Sequence, residues 1–152
     1  MSDQSAIAPG SAVRQYSIFL QNQVGALSSV VQLLEEAHVN VIGLSVLDSV
    51  DTTVVRMVLS DPETTVAILC SEGIPYTESE LVVVALRDGA AGLGQCLLTL
   101  LMAEVNIHYS YPLLNRPEND SLIAFCLDDT DFGKTALNKN GFRVLNQEDL
   151  SR

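Results

Sequence analysis

Basic residues are what this sequence has least of: 8 Lys and Arg stand against 19 Asp and Glu, for a net charge of −11. That balance repels a phosphate backbone or an anionic membrane surface at long range, so neither nucleic acid nor a membrane is expected as a partner. Cysteine is sparse as well. Cys70, Cys96 and Cys126 are odd in number, far apart and set among apolar neighbours, a pattern that suits buried thiols better than a disulfide framework or a metal knuckle. A reducing cytoplasm is the expected location. The most apolar stretches, Leu81 to Leu86 and Leu97 to Met102, fall far short of the roughly 20 residues needed to cross a bilayer. The N-terminus has neither the basic start nor the apolar run of a secretory signal, and residues 1–13 read as a flexible tail.

What the sequence does have is apolar content and repetition. Hydrophobic residues make up 47% of the 152 positions, enough for one ordinary core or two small ones. Slid against itself by 66 residues, the stretch 22–45 realigns with 88–111: Leu27 meets Leu93, Leu34 meets Leu100, Ala37 meets Ala103, Val39 meets Val105 and Asn40 meets Asn106. Beyond the middle the offset becomes 68, pairing Leu59 with Leu127, Asp61 with Asp129, Leu69 with Leu137 and Gly73 with Gly141. A repeat of this length is one supersecondary unit used twice.

Each copy reads as β-α-β-β-α-β. In the first, Tyr16 to Leu20 is strand-like, and Leu27, Val30, Val31, Leu34 and Ala37 recur at helical spacing. Val39 to Leu47 and Thr53 to Leu59 form a hairpin, and Pro62 and Gly73 bracket a second helix before a last strand from Tyr76. Thr77 to Glu80 is expected as the connector. The second copy repeats the order: Leu81 to Leu86, a helix over Leu93 to Glu104 with Leu93, Leu97 and Leu100 inward, strands Asn106 to Leu114 and Ser121 to Leu127, a helix Phe132 to Asn140, and Phe142 to Leu145. The expected fold class is α+β, two tandem ferredoxin-like modules over 14–79 and 80–152, each an antiparallel sheet covered by helices on one face.

Asn22-Gln23-Val24-Gly25-Ala26-Leu27 followed by His38-Val39-Asn40-Val41, and Asp88-Gly89-Ala90-Ala91-Gly92-Leu93 followed by Glu104-Val105-Asn106-Ile107, resemble the ACT domain. Val24 and Ala90 stand where that family has proline, Ala91 where it has its first glycine, and His38 and Glu104 where a glycine ends the first helix. That helix is therefore expected to end without a left-handed cap. The resemblance implies a regulatory, non-catalytic protein of paired modules, a homodimer that binds an amino acid where the loop after the first strand meets a neighbouring module. It gives as ligand-binding candidates Asn22, Gln23, Val24, Gly25, Ala26 and Leu27, with Asp88, Ala91, Gly92 and Leu93 in the second copy. A regulated enzyme is the implied partner. An acetolactate synthase small subunit is similar in length, but its second half does not repeat its first. A structural module that has lost its ligand is the third reading.

The residues support the loop candidates chemically, since a helix start offers N–H groups to an α-carboxylate and a glycine admits it. Asn22 and Asp88 also suit a plain turn or cap. Gly89 to Gly94 has the order G-x-x-G-x-G, not that of a dinucleotide loop. Asp128, Asp129 and Asp131 sit at a helix start, where carboxylates stabilise the dipole without any metal. No cofactor is expected. No nucleophile has a recognisable base partner, so catalysis is not expected either.

Overall fold

The computed structural model describes residues 11–21 and 24–151. Two compact units emerge, one around Arg14–Ser79 and one around Glu80–Leu150. The first contains β1 (Val13–Gln21), α1 (Ala26–Glu36), β2 (Val41–Asp48), β3 (Thr52–Leu59), α2 (Pro62–Ser71) and the opening part of β4 (Tyr76–Leu86). Its sheet runs β4-β1-β3-β2, with β1 and β2 both antiparallel to β3. The second unit takes the rest of β4, then α3 (Ala90–Met102), β5 (Ile107–Pro112), β6 (Ser121–Leu127), α4 (Thr130–Lys139), β7 (Arg143–Leu145) and the one-turn α5 (Gln147–Leu150). There β7 and β6 flank β4 and β5 lies beyond β6, all antiparallel. Strand order and helix placement are therefore the same in both, the split βαβ arrangement of an α+β protein.

The expected connector is absent as such. Thr77 to Glu80 are strand residues, because β4 runs unbroken from Tyr76 to Leu86. Its character changes along its length: exposed and half-buried positions mark Tyr76 to Glu80, and Leu81 to Leu86 are all buried. The strand also starts early at the other end of the chain. Val13 opens β1 and is buried, and Ser11 donates from its backbone N and its hydroxyl to the Glu148 carboxylate, at 2.8 Å each.

Each unit has its own core. In the first, Val30 and Leu34 of α1 and Leu69 of α2 press on Ile18, Val55, Met57 and Leu59, with Leu27, Val31 and Ala37 at the margin. In the second, Leu100 and Leu137 pack with Val82, Val84, Phe125 and Leu127. Leu97 departs from expectation. Cys96 is the buried residue beside Leu100, Leu93 is only partly buried, and Leu97 is 39% exposed. The sheet accepts the α3 face centred on Cys96 and Leu100, which leaves Leu97 on its flank.

All four main helices end in a left-handed residue: His38, Gly73, Glu104 and Gly141. The expectation of an uncapped end at His38 and Glu104 is thus corrected. His38 (φ 60) donates its N–H to Glu35 O and Val39 N donates to Leu34 O, and Glu104 (φ 58) and Val105 make the same pair of bonds to Leu101 and Leu100. These two bonds satisfy carbonyls that the helix end would otherwise orphan, and they hold the turn without a glycine. A bulge follows in each copy, between Val41 and Gly43 and between Ile107 and Tyr109, 66 residues apart in both positions.

Candidate functional site

The helices begin in two different ways. Asp61 caps α2, accepting from Thr64 N at 3.1 Å and from Thr64 Oγ1 at 2.6 Å, and these bonds hold its carboxyl below the ordinary range. Asp129 caps α4, accepting from Phe132 N at 3.0 Å. Each of these helices also has a carboxylate in its first turn, Glu63 or Asp131. By contrast, α1 and α3 start at Gly25 and Gly89, no described side chain caps either, and neither has an acidic residue in its first turn. The first helix of each copy therefore presents a positive dipole end with no described side-chain cap and no acid in its first turn.

Gly25 makes the α1 start open. It sits at φ 87, a conformation side chains seldom adopt, and an added Cβ would meet nothing within 4 Å. Its carbonyl accepts from Ser29 N at 2.9 Å and Ser29 Oγ at 3.0 Å, which anchors the first turn. From there an open groove of about 720 Å³ runs beside the helix, lined by Gly25, Leu27, Ser28, Val31, Gln32 and Glu35. One end offers helix N–H groups, the wall is apolar, and the far end has an amide and a carboxylate. The Gly25 end suits the anionic group of a small molecule, with Leu27 and Val31 as the apolar wall beside it.

Of the sequence candidates, Gly25 and Leu27 line this groove. Val24 is fully exposed beside it, and Ala26 packs against the core. Asn22 and Gln23 lie outside the described residues. Ser28, Gln32 and Glu35 were not among the candidates, although they follow Gly25 at steps of 3, 4 and 3 and so share its helical stripe. In the second copy the left-handed glycine is Gly89, two positions ahead of Ala91, the residue that aligns with Gly25. Asp88 is exposed and its carbonyl accepts from Ala91 N at 3.2 Å. Gly92 is the third residue of α3, with the Leu86 side chain nearest it, and Leu93 packs against the core.

Other reactive groups lie elsewhere. Cys96 is buried, which pushes its thiol up to about 11. Cys126 is half-buried, and Cys70 is exposed, against the expectation of three buried thiols, with its sulfur 3.9 Å from Tyr76 Oη. The Tyr76 ring is 6.0 Å from that of Tyr16. Burial, reinforced by the Glu78 carboxylate, raises Tyr16 to about 12, and its Oη has no hydrogen-bond partner among the described residues. Asp128 does not cap α4; it accepts from Asn106 N at 3.1 Å and Asn106 Nδ2 at 3.2 Å. No cluster of metal-ligating side chains exists among the described residues, and no helix there is long and apolar enough to cross a membrane.

The family model described as an ACT domain pair matches residues 11–152, and the chain belongs to that family. No curated protein sequence matches it. Among solved structures, a protein from Bacteroides thetaiotaomicron is 23% identical with a TM-score of 0.85, over 95% of this chain and 99% of that one. The ligand-free regulatory subunit of aspartate kinase from Thermus thermophilus is 13% identical, TM-score 0.56, over 84% and 89%. The regulatory subunit of aspartate kinase from Thermus flavus is 13% identical, TM-score 0.53, over 85% and 92%. At these identities the likeness is one of fold.

Proposed function

We propose, from the premise that the chain is an ACT domain pair, that it is a non-catalytic regulatory protein whose effector is an amino acid held by its carboxylate at the start of α1. The observation that supports this is the contrast in helix starts. Asp61 and Asp129 cap α2 and α4, whereas Gly25 starts α1 without a side-chain cap and with a groove beside it. A carboxylate ligand at Gly25 supplies the missing negative charge. The protein acts as a homodimer in the cytoplasm, where its thiols stay reduced, and the activity it regulates resides in another chain.

A thermal-shift panel of the common amino acids at millimolar concentration tests this. One of them is expected to stabilise the fold by about 2.7 kcal/mol at 100 times its dissociation constant, and Gly25→Val is expected to abolish the shift because its side chain blocks the approach to the backbone. Silence from every amino acid sinks the effector reading. A shift that survives Gly25→Val keeps the effector and moves it away from α1.

A further inference from the structure

The repeat provides an internal control for what the outer face of each first helix has to be. Under the 66-residue offset Gln32, Glu35 and Glu36 of α1 correspond to Leu98, Leu101 and Met102 of α3. All six are exposed, and Leu98, Leu101 and Met102 are 45%, 69% and 76% accessible. The fold does not require apolar residues there, since the first copy builds the same helix with polar ones. The whole of α3 is uncharged from Ala90 to Met102, whereas every other α-helix described carries at least one carboxylate. An exposed apolar face of this kind marks a contact surface.

We propose that this face binds the same face of a second copy of the chain, about a twofold axis near Leu98, an inference that rests on the homodimer reading above. Charge selects this surface for self-association. Two copies of net charge −11 repel each other, and the contact that adds least to that repulsion is the one described α-helix without charge. The spacing along the helix also permits a self-complementary contact. Gly94 and Leu98 lie on one stripe with Leu101, and space is open at Gly94, where an added Cβ would meet nothing within 4 Å. In an antiparallel pair centred on Leu98, Gly94 of one copy faces the partner's Met102, so each long side chain enters the recess left by a glycine, and the contact is isologous. The helix dipoles then run in opposite directions.

The test is the mass of the full chain in solution by sedimentation equilibrium. The unaltered protein is expected to dimerise at micromolar concentration. The pair Leu98→Gln with Leu101→Glu, which copies the first helix, is expected to give a monomer with an unchanged circular dichroism spectrum. Gly94→Leu is a second arm: it fills the open space at the contact while favouring the helix, so dimerisation weakens at least tenfold with an unchanged circular dichroism spectrum. A dimer that survives both changes overturns the α3 contact and leaves the homodimer reading standing. An unaltered chain that stays monomeric at about 100 μM overturns both.

Discussion

In the first copy α1 buries Val30 and Leu34 and shows glutamates to solvent, while in the second α3 buries Cys96 and Leu100 and shows leucines and a methionine. Strand order, bulge position and left-handed helix ends match between the two, yet their outer helix faces do not. The inward residues and the chain reversals are what the fold constrains, because a buried side chain or a tight turn has few substitutes. Outward positions are free to diverge, and there the copies have separated into a polar helix face and an apolar one. The equivalence of the interiors can be tested by matched changes in the two units, from large effects to small.

The largest effect is expected in the cores. Leu34 and Leu100 are equivalent and both fully buried. Truncating either to alanine should cost about 2 to 5 kcal/mol, read by urea denaturation. Similar losses support equivalent packing; a loss under about 1 kcal/mol at one of them shows that its pocket collapses where the other does not.

That pairing was legible from the repeat alone, as were the order of elements and their fold. The phase of α3 was not. Leu93, Leu97, Leu98, Leu100 and Leu101 crowd one helix, so several faces are equally apolar and only packing against the sheet chooses between them. Nor was the continuity of β4, because Thr77 to Glu80 are polar in the manner of a turn. The four-residue α5 is too short to show a period. At the candidate site, Gly25 and Leu27 were legible from their motif, while the groove extends along α1 to residues whose types, Ser, Gln and Glu, also describe an ordinary solvated face.

Alkaline pH separates the two interiors by different groups. Tyr16 in the first unit is raised from 10.0 to about 12, mainly by burial, and Cys96 in the second from 9.0 to about 11 for the same reason. A raised acid favours the protonated fold, so its contribution is complete below the unfolded value and fades as pH rises to the folded one. The Cys96 contribution is lost between about pH 9 and 11 and that of Tyr16 between about pH 10 and 12. Each contribution is on the order of 2 kcal/mol at most. Tyr16→Phe and Cys96→Ala should each flatten the alkaline fall in stability over its own window, measured against the unaltered chain. Identical alkaline curves for all three proteins would show that neither group stays buried.

The caps come next in size. Asp61→Ala and Asp129→Ala each remove a side chain that accepts an N-terminal helix N–H, at a cost of about 1 kcal/mol. Asp61 also accepts from the Thr64 hydroxyl, a bond with no counterpart at Phe132. Its loss should therefore be the greater of the two, and denaturation midpoints that rank them the other way break the distinction.

The smallest effect, and the sharpest comparison, lies at the left-handed turns. His38 and Glu104 hold φ 60 and φ 58 where Gly73 and Gly141 hold 68 and 85. A side chain in that region costs roughly 1 to 2 kcal/mol, and glycine removes the strain while adding chain entropy to the unfolded state. The net gain for His38→Gly or Glu104→Gly is thus expected to be about 0.5 to 1 kcal/mol. Both residues are exposed, and the turn is held by backbone bonds that the substitution keeps. The reverse change, Gly73→Asn or Gly141→Asn, should lose a similar amount, since asparagine is the residue that tolerates this conformation best after glycine. Stabilisation at one of His38 and Glu104 with destabilisation at the other would mean that one of the two side chains does more than turn the chain, and would point to that copy as the place to look for its contact.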